Sequence, residues 1–555
     1  MSTLKPRTGI RACEDVLVRP AQRNVPAPGM LGCAAGGDPR QWIGIVAQRA
    51  QLGLTDSQAL RRAWGVIAEA NPFPATLGRI CPHPCESACN RAGKDGAVAI
   101  NALERFLGDW ALRRGLPLAR PEGATHGASI GVVGAGPAGL SFAYQLARRG
   151  HHVTLYERRE HAGGMLRYGV PAFRLPKQIL QAEIDRIVAL GVDLRLNVTV
   201  GRDVSVDELR ECHDLLFLGI GAGNAARLGI PGEDGPGVIG GIEYLIAVNR
   251  GEGIATPSPV VVIGGGNTAI DAARAARRRG ADVTLLYRRT REEMPAVADE
   301  VDEALAEGVA IEFLVAPTAI RRDPTDPSAV MAQRMALGEP DDSGRRRPVA
   351  VPGTMFAVPA RLVIAAVSQT VDWDGLEQCQ PERPGLPAGL SGAIGDSIWS
   401  GGDMLGASIA GMAIAQGRHA AESVHAMLTS EAPPVAGAAH KGGPARDVAA
   451  DFYTERSAAE IPEQPVTDRL AQPDLEVHET LSRAAFLQEV ERCFSCGQCH
   501  GCQYCFMYCN GGGFVRIDEA RPGAYFALAL DRCVGCGKCI ELCPTGFLSP
   551  TVAAS

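Results

Sequence analysis

The 555-residue sequence has no excess of positive charge: 55 Lys and Arg stand against 62 Asp and Glu, a net charge of −7. Chains that grip nucleic acid by its phosphates carry a basic footprint, and this one has none. No apolar stretch approaches the roughly 20 residues that span a bilayer. The opening "MSTLKPRTGIRACEDVLVRP" lacks the apolar run of a secretory signal. A cytoplasmic protein without a membrane span is the expectation. Composition is otherwise ordinary, with 46% hydrophobic and 21% charged residues, and the length implies several domains. Cysteine is not scarce. There are 17, and ten fall within the last 63 residues. A secreted disulfide scaffold would be short, so clustered thiols in a chain this long point to metal.

Changes in pattern divide the chain. Residues 1–125 carry apolar positions at helical spacing, as in "QWIGIVAQRAQLGLTDSQALRRAWGVIAEANP". Residues 126–253 and 373–430 read as two parts of one dinucleotide-binding domain, interrupted by a second at 254–372. Residues 431–490 are rich in Pro, Ala and Gly with little periodicity and read as a linker, extended or wrapped on a surface. Residues 491–555 hold the cysteine runs. The expected fold class is α/β. Two nested Rossmann-type domains are joined by a helical N-terminal iron–sulfur domain and a C-terminal ferredoxin-like one.

The first glycine loop lies in "SIGVVGAGPAGLSFAYQLARRGHHVTLYER". Gly134 permits the tight turn, Gly136 lets backbone approach a pyrophosphate, and Gly139 packs helix against strand, with Pro137 and Ala138 between them. The helix N-terminus offers free N–H groups and the positive end of its dipole. Glu157, 23 residues after Gly134, ends the next strand where a carboxylate accepts ribose hydroxyls, with Arg158 following it. In "EHAGGMLRYGVPAF", Gly163 and Gly164 would let backbone run close beside the same cofactor, as in two-dinucleotide flavoproteins, with Met165 and Leu166 following as further contacts. "GGDMLGASIAGMAIAQGR" places Gly402 and Asp403 before a helix, which resembles the place in two-dinucleotide flavoproteins where an aspartate binds the flavin ribityl chain, although a helix-capping acid would stand there too. Together these favour FAD.

"PVVVIGGGNTAIDAARAARRRGADVTLLYRR" repeats the design with Gly264, Gly266, Asn267, Thr268 and, at the third glycine position, Ala269. Arg288 and Arg289 stand where an acid would mark NAD. Guanidinium pairs with a 2′-phosphate, which favours NADP(H), although arginine can also stack on adenine and leave NAD(H) open. A nicotinamide beside a flavin implies hydride transfer followed by release of single electrons. No side chain is nominated as an acid or base, because this transfer needs orientation more than proton chemistry.

In the C-terminal run, Cys499-x2-Cys502-x2-Cys505-x3-Cys509 pairs with Cys533-x2-Cys536-x2-Cys539-x3-Cys543 and Pro544. That is the two-cluster ferredoxin pattern, in which each motif lends its fourth ligand to the other cluster. Cys499, Cys502, Cys505 and Cys543 form one [4Fe–4S] set, and Cys533, Cys536, Cys539 and Cys509 the other. Two zinc ions could also use eight thiolates, but the doubled spacing is the more specific signature. Cys493 and Cys496 are surplus, ligands in another register or free thiols. Near the N-terminus, Cys81-x3-Cys85-x3-Cys89 suggests one further cluster. Its fourth ligand would be Cys33, or alternatively Cys13.

"NPFPATLGRICPHPCESAC", the two glycine loops and "GGDMLGASIAGMAIAQGR" together resemble the small subunit of bacterial glutamate synthase and its relatives over about residues 70–425. The resemblance implies an FAD- and NAD(P)H-binding oxidoreductase. That subunit usually carries a further N-terminal cysteine motif. Here only Cys13 and Cys33 precede Cys81, too few for the second cluster such a motif supplies. "CFSCGQCHGCQYCFMYCNGGGF" with "LDRCVGCGKCIELCP" resembles the iron–sulfur flavoproteins of the dissimilatory sulfite reductase system. This implies electron exchange between NAD(P)(H) and sulfite reductase as protein partner. A 2-oxoacid:ferredoxin oxidoreductase or free ferredoxin is the alternative partner, a homodimer stays open, and a non-catalytic scaffold or redox sensor is the remote alternative.

Overall fold

The computed structural model describes residues 18–552 except 122, 125–126, 342–343, 381–391, 396, 432–444 and 446. The chain divides into two compact units. One comprises Pro121–Glu431 with Pro462–Glu479, and the other the described parts of Met1–Arg120, Ala432–Ile461 and Thr480–Ser555.

In the first unit, the strands Leu215–Leu218, Val260–Ile263 and Leu362–Ala365 are buried at every position, as strands of a parallel sheet covered on both faces must be. They belong to two sheets. One has six strands in the order Ala393–Gly395, Ile398–Ser400, Leu215–Leu218, Ser129–Val133, His152–Glu157, Asp193–Leu196. All its pairings are parallel except the first. The other has five parallel strands in the order Ala310–Phe313, Val283–Tyr287, Val260–Ile263, Leu362–Ala365, Val238–Gly240. In each sheet the strand that feeds a glycine loop stands inside, with the next strand of the chain on one side and a later one on the other. That is the topological switch point at which doubly wound sheets open a crevice. A three-stranded antiparallel sheet, Val315–Arg322, Pro327–Pro340 and Arg346–Pro359, is inserted between strands of the second.

Residues 462–479, within the stretch read as linker, are held to this unit largely by polar contacts, which an apolar periodicity does not report. Arg278 Nη1 donates to the carbonyls of Pro473 and Leu475, and Val477 N donates to Phe173 O. Arg274 and Arg278 both fork onto Glu307, and all three side chains are fully buried. Such a network adds little net stability, but removing one partner leaves a buried charge and costs about 3–5 kcal/mol.

The second unit is built on helices Pro39–Ala47, Asp56–Ala70, Pro74–Ile80, Ile100–Arg113 and Arg483–Val490. Asp38 caps the first through Gln41 N, and Thr55 with Gln58 forms a capping box on the second. Pro74–Ile80 and Ile100–Arg113 touch backbone to backbone. A Cβ on Gly78 would lie 2.3 Å from Arg105 N, and one on Gly108 2.2 Å from Ala75 N. The bidentate Arg79–Asp109 pair, at 2.7 and 3.0 Å, fixes their register. Phe106 stacks on Phe486 from the far end of the sequence. The cysteine-rich C-terminal segment joins the same unit. Its hairpin, Phe514–Arg521 with Ala524–Leu528, is accompanied by a strand pair between Val18–Gln22 and Leu548–Val552. Among the described residues no helix is long and apolar enough to cross a membrane.

Candidate functional site

The first glycine loop leaves the Ser129–Val133 strand and enters helix Pro137–Ala147, with Gly136 as N-cap. Gly134 takes φ +96°, and a Cβ there would meet Gly219 O at 2.5 Å. One on Gly139 would meet Gly134 O at 2.0 Å, so helix, turn and strand close only without side chains. Gly164, ahead of Met165 and buried Leu166, abuts Gly136: its Cβ would lie 2.7 Å from Gly136 Cα. Two bare backbone stretches thus form one surface. Glu157, 6% exposed, ends its strand beside them and accepts from Ala135 N and Arg159 N, both at 2.9 Å. Burial raises its carboxyl, and the two backbone donors oppose the rise. A carboxylate has about four lone-pair sites, so two stay open for hydroxyl donors. Arg158 pairs with Asp372 at 2.9 Å on the half-exposed side of the strand. Gly402, distant in sequence, comes against the loop helix, its Cβ position 3.1 Å from that of Ala138. Asp403 follows, its carboxyl raised by burial and accepting from Ser408 N.

Lys177 belongs to this region and sequence reasoning missed it. Its ammonium donates to the carbonyls of Leu166 and Val170, and burial depresses it to about 7. Nothing in "RLPKQ" marks it, since the depression depends on what covers it.

The second loop leaves Val260–Ile263 and enters helix Asn267–Arg278 with Gly266 as N-cap. Gly264 would push a Cβ to 2.2 Å from Ala366 O, whereas nothing lies within 4 Å of one on Gly266. Gly266 therefore faces open space at the helix start. Asn267 Oδ1 accepts from Val297 N, Thr268 Oγ1 accepts from Gln369 Nε2, and Ala269 is fully buried at the packing position. The two arginines part company. Arg288 is exposed. Arg289 is buried, pairs with Asp341 at 2.6 Å, and donates to Arg346 O at 2.8 Å, tying the strand end to the antiparallel insertion.

The thiols gather in groups. Cys499, Cys502, Cys505 and Cys543 line one cavity with His500, Phe514, Phe526 and Phe547. Cys539 feels Cys533, Cys536 and Cys509. Burial pushes Cys499 up to about 11 and Cys539 to about 12, with thiol neighbours adding to the rise. In the helical part, Cys33, Cys81 and Cys85 act on one another. Burial raises all three, Cys81 to about 12, and the Glu104 carboxylate raises each further. Glu104, on helix Ile100–Arg113, accepts from Asn71 Nδ2 at 2.8 Å. Nothing in "NALERF" singles it out. Cys89 lies by Cys493 and Cys496. Cys13 falls outside the described residues. Among the described residues no three His, Cys, Asp or Glu side chains converge tightly enough for a single metal ion. Buried thiols this reluctant to ionise become thiolates only against a strongly cationic centre, and grouped without converging they suit a multi-iron one.

Three families match the chain in succession: a dihydropyrimidine dehydrogenase domain II with a 4Fe-4S cluster at 26–116, pyridine nucleotide-disulphide oxidoreductase at 128–383, and a 4Fe-4S dicluster domain at 498–547. The β subunit of the NADP(+)-dependent formate dehydrogenase of Moorella thermoacetica is 43% identical over 394 residues, 65% of this chain and 56% of that one. The β subunit of the NADPH-Fe(3+) oxidoreductase of Geobacter sulfurreducens is 44% identical over 55% of this chain and 47% of its own. The chain thus spans about half the length of these relatives. The glutamate synthase [NADPH] small chain of Escherichia coli is 35% identical over 401 residues, 67% of this chain and 84% of that one.

Proposed function

Because the chain belongs to the glutamate synthase small-chain family of NAD(P)H-dependent iron–sulfur flavoproteins, we propose that it exchanges electrons between NADPH and a protein partner. FAD would convert a hydride into single electrons, and [4Fe–4S] clusters would carry them. Gly134, Gly136 and Gly164 offer bare backbone to the flavin pyrophosphate, and the open lone pairs of Glu157 take the ribose hydroxyls. Asp403, beside the same loop, takes a ribityl hydroxyl. Gly266 and the uncapped start of its helix take the nicotinamide pyrophosphate. Arg288 pairs with the 2′-phosphate while Arg289 holds the strand end in place.

One observation carries the reading. Two switch-point glycine loops stand in one unit, and Gly402–Asp403 returns from far along the chain to the first of them. For the partner we propose the dissimilatory sulfite reductase, on the likeness of the C-terminal cysteine segment. A second reading draws on the relatives above, two of which are named as β subunits. There the chain is the nucleotide-handling subunit of another oxidoreductase, or serves a free ferredoxin. The test is anaerobic titration of cluster-replete, FAD-loaded chain with NADPH and with NADH, followed by oxidised sulfite reductase or ferredoxin. NADPH should bleach the flavin absorbance, and the partner should restore it. A flavin that neither nucleotide bleaches refutes the nucleotide reading. Bleaching that sulfite reductase leaves unchanged but ferredoxin reverses selects the second partner.

A further inference from the structure

Cys493 and Cys496 precede the dicluster spacing and lie outside both iron–sulfur segments matched above. The structure brings them to Cys89, about 400 residues away in sequence, around one cavity of the helical unit. Its walls are otherwise largely apolar, with Met30, Ile43, Val98, Ile100 and Phe494. Cys496 is buried, and Cys89 and Cys493 are half-buried. Two donors here reach sulfur. Asn90 Nδ2 donates to Cys496 Sγ at 3.3 Å, and Ser495 N donates to Cys493 Sγ at 3.5 Å. Arg40 lines the cavity with its side chain 5% exposed. It spends Nη1 on the carbonyls of Val25 and Cys496 and Nη2 on Asp38, which leaves the buried Nε–H without a partner. A buried guanidinium with an idle donor is costly in an apolar cavity unless an anion faces it.

We propose that Cys89, Cys493 and Cys496 hold a further [4Fe–4S] cluster, spanning the N-terminal helical segment and the entry to the C-terminal module. The donor set fits. Cys493 and Cys496 stand in a Cys-x2-Cys spacing, and with Cys89 they put three thiols around one cavity. Hydrogen bonds to the sulfurs from Asn90 and Ser495 then raise the cluster's reduction potential, since donors stabilise the more electron-rich state, and the buried Arg40 guanidinium acts in the same direction by its charge. The fourth iron takes a ligand other than these three. An N-terminal cysteine motif is therefore unnecessary for a second cluster here, because the C-terminal segment supplies two of its thiolates.

The proposal stands apart from the nucleotide reading, and its test reads metal rather than turnover. Full-length chain, isolated without oxygen and replete with FAD, should contain about 16 irons and as many acid-labile sulfides, against about 12 for three clusters. Cys493→Ser with Cys496→Ser should remove about four irons and one reduced-cluster EPR signal, leaving the flavin content and its bleaching by NADPH unchanged. Cys89→Ser should remove the same signal, which guards against the double variant failing to fold. The proposal is overturned if Cys89→Ser keeps the full iron count and spectrum, or if the three cysteines bind one zinc. Loss of NADPH bleaching in the wild-type chain, with the iron results standing, would sink the nucleotide reading and leave this cluster in place.

Discussion

Arg288 and Arg289 are adjacent and chemically identical, yet the structure gives them opposite fates, which makes them a sharp test. Arg288→Ala removes an exposed cation at the end of the nucleotide strand. If its guanidinium meets the 2′-phosphate, one charge-assisted hydrogen bond worth about 1.5–3 kcal/mol is lost. That raises the KM for NADPH roughly 10- to 100-fold. NADH has no phosphate at that position, so its KM should hardly move. Folding stability should also hold within about 0.5 kcal/mol, as for other surface changes. Arg289→Ala removes a side chain 5% exposed, whose partner Asp341 is 23% exposed. Breaking a fully buried pair costs about 3–5 kcal/mol, and the partial exposure of Asp341 brings the expected loss down to about 2 kcal/mol. Both nucleotides should then suffer together, through the misplaced strand end. The assay is anaerobic dye reduction with each nucleotide, paired with denaturant unfolding of the same preparations. An unchanged NADPH-to-NADH ratio in Arg288→Ala, or a selective NADPH defect in Arg289→Ala, would refute the assignment.

Gly139→Ala drives a methyl into Gly134 O and should cost about 1–3 kcal/mol. The protein should be isolated short of flavin by absorbance, whereas Gly266→Ala meets nothing within 4 Å and should keep its flavin while binding nicotinamide poorly. Glu104→Ala should alter one reduced-cluster EPR signal and lower the iron count if the carboxylate beside Cys33, Cys81 and Cys85 is a ligand. Unchanged iron and spectra would make it a bystander. Lys177 carries a pH signature. Its folded pKa of about 7 lies below the 10.5 of a free lysine, so between those values the unfolded chain binds more protons and stability rises with pH. The slope contributed is at most about 1.4 kcal/mol per pH unit. Comparing urea midpoints of wild type and Lys177→Met from pH 7 to 9 should show that slope only in the wild type. Parallel curves would mean the ammonium is not desolvated.

Glycine loops and cysteine spacings were legible because their partners lie within one turn or one strand–helix unit of each other. Gly134, Gly136 and Gly139 meet across a single turn, and the Cys-x2-Cys-x2-Cys spacers hold successive thiols within reach of one centre whatever surrounds them. The resemblance of these motifs to known relatives then carried the enzyme class. Residues 431–490 were less legible. Within them, residues 462–479 join the nucleotide unit through Arg278 and the carbonyls of Pro473 and Leu475, and backbone acceptors leave no trace in composition.

The order of residues alone thus determined that this chain has two dinucleotide turns and a doubled ferredoxin spacing, because local backbone geometry sets both. Only the tertiary structure decided which thiols and charges share a space. It set Glu104 beside Cys33, Cys81 and Cys85, buried Arg289 while exposing Arg288, and carried Cys493 and Cys496 to Cys89. Such meetings depend on how helices pack. The backbone approach at Gly78 and Gly108 is one example of a contact that no spacing rule along the chain encodes.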